Sequence, residues 1–528
     1  MKNKPYSYFD VPEIKDLKEL VDYCGEKFAD KIAFSWLDKK QKKSKTYKEF
    51  REDVEALATY FISEGCNRTH FAMIGETRYE LILMYYAVIN SGNIIVPIDK
   101  EAAVDDMRYL FESSDASVVI HTDAYSEEAE AIGCKKLINT KKLDELLEKG
   151  RSLISSGDDS YKKLLIDKDE LAIIVYTSGS TGSPKGVMIS HHALCVGIYA
   201  TLKTVSVPDT HFLMLPLNHI LAFGAGVVLP MFIGAEIFIN SGIKNLLKEI
   251  NIAKPSCLLC VPIILETFYN IIQGKIKSTG KEKTFASLIK ASEILLKFGI
   301  DIRRKLFKVV IDNLGGNLQV VMVGGAKISE KIISNFRTFG IDVLPGYGLT
   351  EVTGVAMMNT KCFMPESAGL ITPYTEVRTV DGEIQIKSKA LFLGYYKNPE
   401  ATEAAFDGEW FKTGDIGEIR DNYLFITGRI KNLIILPNGE NVSPEELEAK
   451  LSGEIPQINE IVVYEKNGVI VAEIFPQSCD EKSKREIENN IFVFNKNLPI
   501  YKQIRRVVFR DEEFSKTTSK KIKRTQGK

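Results

Sequence analysis

Residues 176–186 have the sequence Tyr176-Thr-Ser-Gly-Ser-Thr-Gly-Ser-Pro-Lys-Gly186. This stretch is the most informative in the chain about both the fold and the functional site. The apolar residues 171–175 precede it directly, and the apolar residues 187–189 follow it. A short apolar run bounded by Gly and Ser is typical of a buried strand. The loop after that strand offers hydroxyl groups and backbone N–H donors, and Lys185 adds a positive charge. We therefore predict a polyphosphate-binding loop at the end of a buried strand.

This loop differs from the P-loop of nucleotide triphosphatases. Pro184 stands five residues after Gly179, where that motif needs a second Gly, and no Gly-Lys-Ser/Thr ends the run. A flexible Ser/Gly linker is the alternative interpretation. It is the weaker one, because a linker has no reason to lie between two apolar segments.

Composition places the chain among ordinary globular proteins. It has 528 residues, of which 45% are hydrophobic and 26% charged, so we expect two to four domains and no extensive disorder. The net charge of -1 argues against a protein that binds nucleic acid over its whole surface. The eight scattered cysteines predict reduced thiols and a cytoplasmic location. Cys257-Leu-Leu-Cys260 has the spacing of a redox motif or of one of the two cysteine pairs of a zinc site, but its apolar context favours a buried strand.

Two segments bear on targeting and membranes. Residues 1–10 have no apolar core after their lysines and do not resemble a secretory signal. Residues 213–235 carry no charge and are long enough to span a bilayer. They contain several Pro and Gly residues, however, so we expect a strand, a turn and a buried helix instead.

Strand-like and helix-like patterns alternate along most of the chain. Residues 94–98 and 318–323 predict strands, and residues 47–61 and 330–339 predict helices. This alternation favours an α/β fold with largely parallel sheets. Residues 265–310 read as a lysine-rich helical insertion between sheet elements.

The C-terminal third changes character twice. Short strands and turns dominate from residue 381, which predicts a β-rich subdomain. A compact α+β unit follows a boundary near residues 428–432. Its first helix should begin after Ser443, with Pro444 at the first helical position and Glu446 completing a capping box.

The loop at residues 176–186 resembles the signature of the adenylate-forming (AMP-binding) superfamily, which includes acyl-CoA synthetases, luciferases and the adenylation domains of peptide synthetases. The resemblance covers nearly the whole chain, because further motifs follow in the family's order. They are Thr46-Tyr-Lys-Glu-Phe50, Gly324-Gly-Ala326, Gly346-Tyr-Gly-Leu-Thr-Glu351, Thr413-Gly-Asp415, Gly428-Arg429 and the region of Lys521. The resemblance implies a large domain over residues 1–428, with the β-rich subdomain at 381–428. A hinge at 429–432 and a small mobile domain at 433–528 would follow.

The resemblance also implies a set of residues that bind ATP and AMP. They are Thr177, Ser178, Gly179, Ser180, Thr181, Gly182, Lys185, Gly324, Gly325, Ala326, Gly346, Tyr347, Gly348, Asp415 and Arg429. Tyr347 would stack on adenine, and Asp415 would accept hydrogen bonds from the ribose, with Arg429 beside it. From the residues alone, Tyr347 is equally compatible with a core position and residues 413–415 with a turn.

The implied catalytic residues are Lys521, Glu351 and Thr350. Lys521 would neutralise charge between the attacking carboxylate and the α-phosphate, which Thr350 contacts. Glu351 and Thr177 would hold Mg²⁺, since it prefers oxygen ligands. The tail departs from the family pattern at Ser515 and Lys520, so Lys520 remains the alternative catalytic lysine. A solvated basic tail is the alternative interpretation of this region.

The resemblance places the acyl group beside His219, Phe223 and Gly226, although a lone His among apolar residues is more often structural. Lys431 falls at the hinge position, and Asn432 replaces the acid that often follows it.

The implied function is a two-step ligase that uses Mg²⁺, ATP and CoA. The helical insertion and the hinge sequence favour a medium- to long-chain fatty acid. Three alternatives stay open: an enzyme that loads a carrier protein, an aryl or small-acid CoA ligase, and a non-catalytic homologue. We expect no nucleic-acid partner and no transmembrane segment, and loose membrane contact stays open.

Overall fold

The computed structural model describes residues 9–177, 184–357, 363–436, 441–516 and 522. Two large mixed sheets, covered by helices, form most of the chain, and a smaller sheet lies near the C-terminus. This confirms the α/β fold class.

The first large sheet joins strands from both ends of the first 430 residues. In spatial order they are Thr375–Val380, Glu383–Ser388, Trp410–Arg420, Tyr423–Arg429, Gly369–Ile371, Val352–Met357, Asp342–Leu349, Val320–Val323, Cys257–Cys260, Thr210–Leu213, Glu236–Ile239, Ile32–Asp38 and Gln41–Thr46, with Phe406–Asp407 beside Trp410–Arg420.

The second large sheet has the order Gly394–Tyr395, Lys185–Ser190, Leu171–Thr177, Ile94–Pro97, His70–Ile74, Ala116–His121 and Leu137–Asn139. The small sheet contains Ile458–Lys466, Val469–Pro476 and Ile504–Phe509, and Ile434–Ile435 pairs with Asn441–Val442.

Helices pack on these sheets. They are Leu17–Lys27, Tyr47–Ser63, Tyr79–Asn90, Val104–Ser113, Ser126–Ala131, Leu143–Ser155, Ser160–Lys163, His191–Leu202, Ile220–Phe223, Leu229–Phe232, Leu246–Ala253, Pro262–Ser278, Glu282–Lys297, Arg303–Leu306, Lys308–Asn313, Glu330–Thr338, Pro399–Ala404, Pro444–Glu454 and Glu481–Asn495. The predicted helices at 47–61 and 330–339 and strands at 94–98 and 318–323 are present, with bounds shifted by up to two residues. The predicted helical segment at 265–310 is a series of four helices within residues 262–313.

Parallel pairing dominates the centre of the first sheet. Cys257–Cys260, Val320–Val323 and the first half of Asp342–Leu349 run parallel to one another. The second half of Asp342–Leu349 then pairs antiparallel with Val352–Met357. The carboxyl ends of the parallel strands and the turn at residues 350–351 therefore meet at one edge, where α/β proteins bind their ligands.

The two segments that flank residues 178–183 form a hairpin, which we call the phosphate-loop hairpin. Leu171–Thr177 pairs antiparallel with Lys185–Ser190. Only seven residues separate Thr177 from Lys185, and a parallel return needs a crossover of a dozen or more. This antiparallel pair lies beside the parallel strands that form the rest of the centre of the second sheet.

Residues 213–235 contribute to a hydrophobic core of the described residues. They comprise the end of one strand, Ile220–Phe223, a π-helical turn at Gly224–Val228, and Leu229–Phe232, and most of their apolar side chains are buried. No helix in the described part of the chain is long and apolar enough to cross a membrane. Cys257–Cys260 is a buried strand, as expected.

The helix Pro444–Glu454 begins as expected but lacks the full capping box. The Ser443 hydroxyl accepts the backbone N–H of Glu446, and Pro444 takes the first position. The Glu446 carboxylate does not reach back to Ser443 but pairs with Lys450 at 2.7 Å and Lys502 at 3.2 Å. Two lysines attract this carboxylate more strongly than one backbone N–H does, so this part of the prediction is wrong.

Candidate functional site

The phosphate-loop hairpin brings Thr177 and Lys185 opposite each other. Thr177 pairs with Lys185, and Tyr176 pairs with Gly186. Gly186 is required by close packing, because a Cβ there would lie 2.9 Å from Ile174 and 3.2 Å from the Tyr176 ring. The predicted loop residues Ser178, Gly179, Ser180, Thr181 and Gly182 lie outside the described residues.

A chain of contacts connects this hairpin to Glu351. The Lys185 Nζ lies 4.8 Å from the centroid of the Tyr395 ring, and the Tyr395 hydroxyl donates a 2.9 Å hydrogen bond to the Glu351 carboxylate. Burial raises the pKa of Tyr395, and the neighbouring Glu351 carboxylate raises it further. Tyr395 therefore remains a hydrogen-bond donor at neutral pH.

Thr350 and Glu351 form the turn between Asp342–Leu349 and Val352–Met357. Two glycines permit this turn to pack closely. A Cβ at Gly346 would lie 2.7 Å from the Met357 sulfur, and one at Gly348 would lie 3.2 Å from the backbone nitrogen of Gly354. The glycines of the motif thus serve the close approach of two strands.

Tyr347, Asp415 and Arg429 form a second cluster. The Tyr347 hydroxyl donates to one oxygen of Asp415 at 2.6 Å, and the Arg429 Nε contacts the other oxygen at 2.6 Å. The Asp415 side chain is 3% exposed. Burial raises the pKa of Tyr347 well above its ordinary value, and the adjacent Asp415 carboxylate raises it further.

The strand ladder and a hydroxyl fix the position of Asp415. Asp415 and Arg429 are cross-strand partners, and the Asp415 backbone N–H donates to the Thr413 hydroxyl at 3.0 Å. A carboxylate oxygen has more than one lone pair, so Asp415 can accept further donors. A ribose at the predicted position would have to share Asp415 with the Tyr347 hydroxyl or replace it as donor.

Gly324 and Gly325 follow the strand Val320–Val323 at the same sheet edge. Gly325 has a φ of +83°, in the left-handed region that favours glycine. A Cβ at Gly324 would lie 3.1 Å from Leu221, two residues after His219. The candidate adenine-side segment, in which Ala326 is exposed, therefore adjoins the candidate acyl segment.

The three predicted acyl-pocket residues differ in their surroundings. His219 is half-buried and occupies the N-cap position of the helix Ile220–Phe223. Phe223 is fully buried, and its ring stacks on Tyr85 with centroids 4.0 Å apart. Gly226 is buried, and a Cβ there would lie 2.8 Å from Leu213. Phe223 and Gly226 thus belong to the close-packed core beneath the segment that His219 begins.

The predicted hinge is a short turn at Ile430–Asn432. A Cβ at Gly428 would lie 2.3 Å from the Ser443 hydroxyl, and Asn432 hydrogen-bonds to Glu445, so both sides of the turn are packed together. Partial desolvation lowers the pKa of Lys431, and Arg429 lowers it further.

Lys521 and Lys520 lie outside the described residues. An isolated antiparallel bridge joins Lys516 to Ile522 on either side of them. The Lys516 ammonium group pairs with Glu460 and, at 2.8 Å, with Glu513.

Sequence reasoning missed Tyr395. The residue lies 44 positions from Glu351 and on a strand of the other large sheet, so no local spacing connects the two. The only signal was its position in Gly394-Tyr395-Tyr396, an aromatic pair after a glycine, which is not specific to any function.

The carboxyl ends of the parallel strands and the polar residues of the adjoining antiparallel strands lie where proteins of the α/β class bind their ligands. The comparison with protein families makes this specific. The model of the AMP-binding enzyme family matches residues 21–396, which is more than half of the chain. The chain therefore belongs to the AMP-binding enzyme family.

Individual proteins agree with this assignment. A long-chain-fatty-acid–CoA ligase of Mycobacterium bovis is 29% identical over 450 residues, which cover 79% of this chain and 74% of that protein. Long chain acyl-CoA synthetase 4 of Arabidopsis thaliana is 28% identical, with 79% of this chain and 71% of that protein covered. The solved structure of a Mycobacterium tuberculosis fatty acyl CoA synthetase is 24% identical, covers 97% of both chains, and has a TM-score of 0.68. This last similarity shows the fold.

Proposed function

We propose that the protein is an AMP-forming acyl-CoA synthetase that activates a medium- to long-chain fatty acid with ATP and transfers it to CoA. The observation that carries the proposal is the continuous set of contacts from Thr177 and Lys185 through Tyr395 to Glu351. It joins two family motifs that are far apart in the sequence. The names of the relatives in Mycobacterium bovis and Arabidopsis thaliana support a long-chain acid and CoA.

In the first half-reaction, a carboxylate oxygen attacks the α-phosphorus of ATP. A new O–P bond forms, and the bond from the α-phosphorus to the bridging oxygen breaks. Pyrophosphate leaves with the electron pair. Positioning and charge neutralisation dominate such a step. We assign positioning to Tyr347, Asp415 and Thr350, and charge neutralisation to Lys185 and Lys521.

Mg²⁺ suits the donor set at the proposed phosphate site. The Glu351 carboxylate and the Thr177 hydroxyl are hard oxygen donors, the type that Mg²⁺ prefers. No group of three His, Cys, Asp or Glu side chains able to hold a metal occurs in residues 9–177, 184–357, 363–436 and 441–516. This agrees with a cation that shares its coordination with substrate phosphates, whose charge it would neutralise.

In the second half-reaction, a thiol sulfur attacks the acyl carbonyl and AMP leaves. Four of the chain's own thiols are poor candidates, because Cys24, Cys195, Cys257 and Cys260 are fully buried. Burial raises the pKa of each of these thiols, so the reactive thiolate does not form. We assign the nucleophile to CoA, which the names of the relatives in Mycobacterium bovis and Arabidopsis thaliana support.

We also propose that the small domain turns about residues 429–432 between the two half-reactions, with Lys431 at the hinge. The small domain has its own hydrophobic core, which includes Leu447, Leu451 and Ile487. A unit with its own core can move as a body while a short turn absorbs the change in backbone angles.

The test is ATP–pyrophosphate exchange with purified protein and a panel of carboxylates, from acetate to palmitate, with benzoate and amino acids. We expect exchange with medium- and long-chain fatty acids, and acyl-CoA formation once CoA is added. Lys521→Ala should abolish exchange, and Lys520→Ala, its matched control, should retain it. If no acid supports exchange in a sample that still binds ATP, the assignment as a ligase is refuted. Acyl transfer to a carrier protein but not to CoA would refute the proposal that CoA is the acyl acceptor.

A further inference from the structure

Residues 271–309 concentrate positive charge in a chain that is nearly neutral. The segment contains ten Lys and Arg and three acidic residues, a net charge of +7, whereas the whole chain carries -1. The basic residues are Lys275, Lys277, Lys281, Lys283, Lys290, Lys297, Arg303, Arg304, Lys305 and Lys308. All eight lysines are exposed. The remaining residues therefore carry a net charge of -8.

The same segment exposes apolar side chains. Within seven residues, Ile294 is 56% exposed, Phe298 77% and Ile300 50%, and Leu296 is exposed as well. We call residues 290–305 the basic tip, since Lys290, Lys297 and Lys305 flank these side chains. None of the three lysines forms an ion pair within the described part of the chain.

This exposure does not arise from an undocked helix. The opposite face of Glu282–Lys297 is anchored to the body of the protein: the Phe285 ring lies 5.4 Å from that of Phe307 and 5.9 Å from that of Phe339. Arg303 and Arg304 are also held, by carbonyl groups of Arg337, Leu318 and Gly340. The helix is therefore held against the protein through one face, Ile294 lies on the opposite face, and Phe298 and Ile300 follow the last helical residue.

We propose that the basic tip binds the surface of a lipid bilayer that contains anionic phospholipids. Lysines would lie at the phosphate level and Phe298 with its apolar neighbours would enter the acyl boundary, which is the pattern of interfacial membrane binding. Nucleic acid is a less suitable partner, because its phosphate backbone makes no favourable apolar contact with the four exposed aliphatic and aromatic side chains.

The segment that carries the tip is connected to the proposed site. Val261, directly before the helix Pro262–Ser278, lies beside Gly325 at that site, with 3.7 Å from its side chain to the Cβ position of that glycine. This helix is about 25 Å long, and the helix Glu282–Lys297, which carries the first half of the tip, follows it in the chain. The membrane inference goes beyond the proposed function and does not depend on it.

The test is sedimentation of the full-length protein with vesicles of phosphatidylcholine, with and without phosphatidylglycerol. We expect binding to the anionic vesicles that weakens as salt is added. A triple variant, K290Q/K297Q/K305Q, should bind roughly 100-fold more weakly, since each lysine near an anionic surface contributes about fivefold. Neutralising three exposed lysines elsewhere, K135Q/K142Q/K248Q, should change binding little and serves as the matched control.

Phe298→Ser tests the apolar contribution separately and should weaken vesicle binding while the salt dependence remains. Equal binding by the two triple variants would overturn the proposal, as would equal binding of the wild type to neutral and anionic vesicles. Self-association that Phe298→Ser abolishes, in sedimentation without lipid, would assign the tip to a second copy and also overturn it. ATP binding should be unchanged in every variant, so failure here is distinct from failure of the ligase assignment.

Discussion

Replacing Tyr395 by Phe should impair the use of ATP without unfolding the protein. The substitution removes one hydroxyl, which donates a 2.9 Å hydrogen bond to the Glu351 carboxylate. It keeps the aromatic ring beneath the Lys185 ammonium group, so the cation–π contact remains. The change therefore isolates the contribution of the hydrogen bond to the orientation of Glu351.

The expected size follows from the type and the burial of this bond. A hydrogen bond to a charged group contributes about 1.5–3 kcal/mol. Tyr395 is buried but Glu351 is half-buried, so water replaces part of the lost bond and about 1–2 kcal/mol is expected. This corresponds to a decrease of roughly 5- to 30-fold in kcat/KM for ATP.

The assay is ATP–pyrophosphate exchange at varied Mg²⁺ and at varied fatty acid. The defect should be larger when Mg²⁺ is limiting and should not appear in KM for the acid. Tyr396→Phe is the matched control, since the Tyr396 hydroxyl also donates to a carboxylate, that of Asp115, at 2.7 Å, but on the surface. Equal kinetics for the two variants would refute the positioning role of Tyr395.

Three further perturbations probe the site and the scaffold. Asp415→Asn should weaken ATP binding about tenfold or more, because a charged acceptor is lost, whereas Asp407→Asn, at an exposed ion pair, should leave calorimetric ATP affinity unchanged. Gly150→Ala should lower the Tm, since its Cβ would lie 1.9 Å from a backbone oxygen of the adjacent helix; Gly274→Ala, in open space on an exposed helix, should stabilise by about 0.5–1 kcal/mol. Burial lowers the pKa of His191 from 6.5 to about 3, so only the unfolded chain binds a proton there between these pH values. The free energy of unfolding should therefore decrease as the pH falls below 6.5, by up to about 1.4 kcal/mol per pH unit. His191→Gln should make the urea midpoint less dependent on pH.

Each of these predictions has a contrary result. Unchanged ATP affinity in Asp415→Asn would remove that residue from the nucleotide site. Equal Tm values for the two glycine variants would show that the helix contact at Gly150 can relax. A urea midpoint with the same pH slope in His191→Gln and the wild type would assign the acid sensitivity to other groups.

The sequence predicted what depends on local pattern. The α/β class, the helical segment near residues 265–310 and the β-rich segment after residue 381 follow from periodicity and turn residues, which act over a few positions. The motifs themselves are contiguous, so the residues of Gly346–Glu351 could be named together before their fold was known. The start of the helix at Ser443 was predictable for the same reason.

Contacts between distant segments were not predictable in this way. The bond from Tyr395 to Glu351 joins two sheets, and that from Tyr347 to Asp415 joins strands 68 residues apart. A local motif also does not show which other groups compete for a side chain. Glu446 has the right spacing for a capping box, but Lys450 and Lys502 bind its carboxylate. Long-range geometry decides such cases, and one sequence does not encode it in any visible spacing.

The contact between Tyr347 and Asp415 has a consequence for selectivity. The phenol supplies this buried carboxylate with one hydrogen-bond donor. If a bound sugar replaces that donor at the proposed nucleotide site, it gains binding free energy only from hydroxyl groups beyond the one that takes the place of the phenol. Two vicinal hydroxyls meet that requirement, whereas a deoxyribose offers one and gains almost nothing. Tyr347 would thus let the proposed site discriminate against deoxyribonucleotides without a steric barrier.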